Sequence, residues 1–280
     1  KGDRIMWFPA EQEVEKPSLN AESLSFKAFK QWVSDEIGEQ CSERLTDPDS
    51  RLKGLPIAFL GLELETRRAE NLIEVLRLVG LGLDQIKPTM NLELGWISLF
   101  VLGAKEASQP IEREVWSGLL IAEMSELGSV NKRTLNFLSL MEPWELEAFV
   151  AYASFAFRFE SGWKFIFDED FAWRELWSYG REVDLTRHWV DLGLVVGAPS
   201  ELDASSARFL RIGYGDQHWE ISPPLAVSSE RLPRIKYLKF SALGQQIAGA
   251  AKAKTYKVYA RNLIKQMREQ VNLELTEVDT

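Results

Sequence analysis

Histidine and cysteine are nearly missing from this chain of 280 residues, which contains two of the first and one of the second. Two histidines, His188 and His218, are too few for most zinc sites and for His-based acid–base constellations. A single Cys41 excludes an internal disulfide and fits a reducing, cytoplasmic compartment. As a nucleophile Cys41 would need a histidine brought from far along the sequence, so no thiol chemistry is assigned to it. Long apolar runs are also lacking. The most apolar window, Trp96 to Leu102, is far shorter than the ~20 residues that span a bilayer, and no membrane association is expected. The chain starts at Lys1 rather than Met and carries no cleavable leader, which leaves room for an upstream segment.

Catalytic motifs are absent in the same way. There is no Walker A loop, no G-x-G-x-x-G and no G-x-S-x-G. No lysine has a carboxylate two residues before it, the spacing a restriction-type nuclease would use, and Gln85-Ile86-Lys87 is the nearest substitute. The three consecutive acids Asp168, Glu169 and Asp170 diverge in a strand or turn and read as the acidic N-terminus of a helix, FAWRELW. Neither a metal nor a cofactor is expected.

Acidic residues are absent from one long stretch. Between Arg231 and Arg268 there is no Asp or Glu but ten basic residues, so this segment carries +10 and the remainder −19, for a net −9. Separation on this scale creates local potentials that the net figure hides. Within it, Lys257, Arg261, Lys265 and Arg268 recur at helical spacing and share one face of a final helix read over 256–269. Lys252 and Lys254 precede that helix. A solvated or intramolecularly paired face is the plain reading, and contact with phosphates or with an acidic protein is the functional one.

What is abundant is tryptophan, ten residues from Trp7 to Trp219. Most should be core anchors. Trp7, Trp32, Trp96 and Trp163 fit no amphipathic face and are candidate interface anchors. Residues 1–22 lack periodicity, Ser25 precedes a short amphipathic helix, and TDPDS at 46–50 breaks it. A helix follows over 62–79, stopped by Gly80. In IEREVWSGLLIAEM the carboxylate of Glu123 falls inside the apolar arc, so it needs a partner: Arg133, as a structural ion pair, or the amides after Ser129, the expected N-cap of the next helix. Pro143 opens another helix whose apolar face runs from Leu146 to Phe157.

Past residue 160 the pattern changes. Trp163–Phe167 reads as a strand, Asp184 caps a short helix ended by Gly193, and Leu194–Val196 leaves as a strand. ARFLRI and HWEIS flank a hairpin turn at Gly213–Asp216. A strand over 234–240 and a helix capped by Ser241 precede the basic helix. The fold expected is mainly α with an α+β C-terminal part: a helical domain over 1–160 and a winged-helix-like module over 161–280.

Three stretches, RRAEN at 67–71, the span from Trp96 through WSGLLIAEM, and its continuation GSVNKRTLNFLSLMEPWELEAF, resemble a bacterial domain family of unknown function. The second half of that span is also similar to abortive-infection alpha proteins, and SALGQQI resembles the close of the same proteins. Ile121-Ala122-Glu123 and Phe240-Ser241 depart from that pattern in detail. The resemblance implies a bacterial accessory or sensing subunit in antiphage defence. The absence of recognisable catalytic sites reads it as non-catalytic, and the basic segment reads as a surface for partner proteins or nucleic acid. The alternative is an enzyme with an unrecognised site, such as a divergent metal-dependent nuclease.

Overall fold

The structure is a computed structural model that describes residues 56–83, 92–180, 185–203, 210–222, 234–271 and 274–278. The expectations for the lead-in, Trp7, Trp32, Cys41, Gln85–Lys87, Asp184 and Arg231 fall outside these residues.

Among the described residues five helices come first: α1 Pro56–Leu83, α2 Leu94–Ala104, α3 Pro110–Ser125, α4 Lys132–Leu138 and α5 Pro143–Ala153. Gly80 does not stop α1, which runs on to Leu83. A helical glycine costs only about 1 kcal/mol, and the buried row Leu72, Val75, Leu76 and Val79 outweighs it. Prolines open α3 and α5 at the first turn, where a missing N–H costs nothing. Each start is closed by a reciprocal cap, Gln109 with Glu112 and Glu142 with Glu145.

The chain then forms β1 Phe157–Phe159, β2 Lys164–Phe167, α6 Asp170–Trp177, α7 Thr186–Asp191, β3 Ser200–Asp203, β4 Leu210–Tyr214, β5 Gln217–Ser222, β6 Arg234–Lys239, α8 Ala242–Ala250, α9 Lys257–Val271 and β7 Glu274–Glu277. The seven strands make one antiparallel sheet in the order β3-β6-β2-β1-β4-β5-β7. The C-terminal part is therefore α+β. The predicted hairpin is present as β4 and β5, with Gly215 in left-handed backbone at its two-residue turn. It is paired on both sides, with β1 and with β7.

Three local expectations are corrected. Phe157 belongs to β1 rather than to the face of α5, which ends at Ala153. Leu194–Val196 contributes only an isolated bridge, Val195 to Phe240, made by Val196 N to the Lys239 carbonyl and Ser241 N to the Leu194 carbonyl, because Leu194 N and Val195 N are taken by the Trp189 carbonyl. Ser129 is not the cap of α4. Asn131 holds that position, and the cap is supplied from α8, whose Gln246 Oε1 accepts from Asn131 N and from the Thr134 hydroxyl.

One face of the sheet is aromatic. Phe157 and Phe165 sit opposite each other, joined by Phe167, Tyr214 and Trp219, and Tyr259 of α9 covers them. By strand alternation Arg158, Lys164 and His218 occupy the other face. The expected boundary at residue 160 lies in the turn between β1 and β2, and one core runs across it from Leu72 to Leu275. The two parts touch backbone to backbone, since a Cβ on Gly118 of α3 would stand 2.1 Å from the Ala250 carbonyl oxygen of α8. Only a glycine allows that approach.

Candidate partner-binding surface

Helix α9 is amphipathic in the way its spacing predicts. Tyr259, Ala260, Leu263, Ile264 and Met267 are buried, while Lys257, Arg261, Lys265 and Arg268 are all exposed on the opposite arc. The four are not equivalent. Lys257 Nζ meets Asp216 Oδ2 of the hairpin turn at 2.8 Å, and this bond holds the Asp216 carboxyl below its ordinary value. Lys265 lies 3.9 Å from Glu269, one turn on, and the Arg268 guanidinium donates to the Leu275 carbonyl of β7. Arg261 has no hydrogen-bond or ion-pair partner among the described residues, and the same holds for Lys252 and Lys254, both exposed just before the helix.

Beside this arc the surface turns apolar. Val258 is 60% exposed, and α6 packs along α9 through Glu175, which accepts from Asn262 Nδ2 at 2.8 Å and from Gln266. Trp177, the last residue of α6 and 46% exposed, lies on the side of that helix turned away from Glu175, against Trp173. Tyr179 follows it, 5.1 Å from the ring of Tyr256 and still 37% exposed. The result is a mixed strip of Arg261, Val258 and Tyr179 around the first turns of α9, in which Arg and Tyr are residue types enriched at binding hot spots. Sequence reasoning did not single out Trp177 and Tyr179.

The other singled-out residues have structural roles. Glu123 is buried and accepts from Gly128 N and Val130 N, each at 2.8 Å. The expected ion pair with Arg133 is not formed, because Arg133 is exposed and the amides of the turn already satisfy both carboxylate oxygens. Trp96 completes that turn by donating to the Val130 carbonyl and is core, stacked on Phe100. Trp163 is 41% exposed, with Nε1 bonded to the Phe240 carbonyl. The three acids each hold local structure: Asp168 accepts from Trp173 Nε1, Glu169 is the N-cap of α6 and accepts from Lys236 N, and Asp170 lies in the first turn. His188 bonds Glu145 at 2.8 Å and stacks against Trp144.

Among the described residues no three His, Cys, Asp or Glu side chains gather as a metal site, and no described helix is long and apolar enough to cross a membrane. A family model described as protein of unknown function (DUF2806) matches residues 62–264, which spans both the helical part and the sheet. Neither a curated protein nor a solved structure matches the chain.

Proposed function

The chain belongs to the DUF2806 family, and we propose that it works as a non-catalytic accessory or sensing subunit of a bacterial antiphage defence complex. In this reading the strip formed by Arg261, Val258 and Tyr179 docks a partner protein that presents acidic residues. The observation that carries it is an exposed tyrosine, Tyr179, held against Tyr256 at the start of α9, together with Arg261, which has no partner among the described residues. Rigid aromatic anchors and Arg supply interface energy at low entropic cost. The defence role rests on the similarity of the segment around SVNKRTLNFLSLM to abortive-infection alpha proteins.

A protein partner is favoured over nucleic acid by the state of the cations. Three of the four helix cations already have intramolecular acceptors, so a DNA backbone would meet mainly Arg261, Lys252 and Lys254. Such a short track releases few counterions and must still overcome an acidic remainder. Co-purification of the chain with products of its neighbouring genes, followed by size-exclusion chromatography, tests this. A stoichiometric partner is expected, and a lone monomer would contradict the proposal.

A further inference from the structure

Arg158 and Lys164 stand in direct register across the β1–β2 hairpin, on the sheet face opposite the aromatic core. Like charges placed directly opposite one another destabilise a sheet. No carboxylate among the described residues relieves them. The acids beside this row, Glu160 and Glu220, are taken by Arg211.

Lys164 spends one of its three donors on the Ala248 carbonyl in the last turn of α8, at 2.6 Å. Burial first, and the Arg158 charge second, push its ammonium down to about 8. Arg158 Nη2 lies 2.9 Å from His218 Nε2, across Gly213, whose missing side chain leaves that gap open: a Cβ there would come within 3.0 Å of His218 and 3.2 Å of Arg158. A guanidinium can only donate, so Nε2 accepts and the ring proton sits on Nδ1. That Nδ1 is buried with no partner. The row therefore has a surplus of positive charge and of N–H donors and no acceptor to match. Capping of α8 explains Lys164 alone. It does not explain a second cation placed opposite it, nor the unpaired Nδ1 of His218.

We propose that Arg158, Lys164 and His218 form a binding site for a phosphate-type oxyanion. A phosphate group supplies several strong acceptors at once, spans the guanidinium fork and the ammonium, and neutralises their repulsion. The ion is bound free or as the monoester of a small nucleotide, and the two sources share this chemistry. The site lies on the sheet and is independent of the partner-docking strip around α9.

The test is calorimetric titration of the full chain with inorganic phosphate and with adenosine 5′-monophosphate, against chloride at matched ionic strength. Saturable binding of one phosphate per chain is expected, with dissociation constants on the order of 1 mM or tighter. Lys164→Met and Arg158→Met should each weaken it roughly tenfold or more, as loss of a charge-assisted hydrogen bond does. Tighter binding of the nucleotide than of phosphate assigns the monoester, equal binding assigns the free ion, and both support the site. Should the variants fail to fold, the Lys164 side-chain resonance of the wild type decides, and it should shift on adding phosphate. Absence of phosphate binding by the wild type, or binding undiminished in folded variants, overturns the proposal.

Discussion

Glu123 Oε2 reaches past the end of its own helix to accept the Val130 amide at 2.8 Å, while its other oxygen takes Gly128 N. One buried carboxylate thereby shapes the turn that leads from α3 to α4. Glu123→Ala strands two amides in a buried turn and should destabilise the chain by about 3 kcal/mol, whereas Arg133→Ala should change stability by less than about 0.5 kcal/mol. Urea unfolding of both variants checks this, and equal losses would restore the ion pair that the structure lacks.

Gly118 and Gly249 make a contrasting pair. A Cβ on Gly118 would collide with the Ala250 carbonyl, so Gly118→Ala must separate α3 from α8 and should cost about 2 kcal/mol or more. Gly249 is exposed in α8 with nothing within 4 Å of its Cβ, and Gly249→Ala should stabilise by about 0.5 kcal/mol. Thermal melting distinguishes the two signs.

Most of the helical half was legible in the sequence because its signals are local: prolines at first turns, an apolar arc that included Glu123, and a period-3.6 pattern in α1. The sheet was not. β3 and β7 are four residues each and carry no alternation strong enough to announce a strand, and their pairing with β6 and β5 is set by tertiary contact. The cap of α4 was missed for a related reason, since it comes from Gln246, more than a hundred residues away in sequence. The basic arc was readable from spacing, but that Asp216, Glu269 and the Leu275 carbonyl occupy three of its four cations depends on how the hairpin and β7 fold back on the helix. The row of Arg158, Lys164 and His218 is invisible in sequence, because only strand register brings the three together.

Burial of Lys164 sets a pH dependence. Its folded value of about 8 lies below the ordinary 10.5, so between these limits the unfolded chain holds a proton that the folded chain has released. Stability from this group therefore rises with pH through that window, and the cost of burying the ammonium is fully present below it. Relative to Lys164→Met, which cancels the tyrosine titrations common to both chains, the wild type should gain about 3 kcal/mol from roughly pH 7 to pH 10.5. Paired urea melts across that range measure the difference, and a flat difference would show that the ammonium is solvated.

Duplex DNA should bind the isolated chain weakly. With Arg261, Lys252 and Lys254 as the uncommitted cations of the α9 surface, binding there should show a log–log salt slope no steeper than about −3. Fluorescence anisotropy of a short duplex over a salt series reads that slope directly. A much steeper value would mean that Lys257, Lys265 and Arg268 leave their internal partners for phosphates.

Charge reversal of Arg261 tests the central claim most directly, because this side chain has no internal partner among the described residues and its loss should leave the fold intact. The measurement is retention of the co-purifying partner by the wild type, by Arg261→Glu and by Arg133→Glu, an exposed control on α4. The account predicts that the wild type and the Arg133 variant keep the partner at the same stoichiometry and that the Arg261 variant loses it while melting at the same temperature. Undiminished retention by a folded Arg261→Glu chain would contradict it.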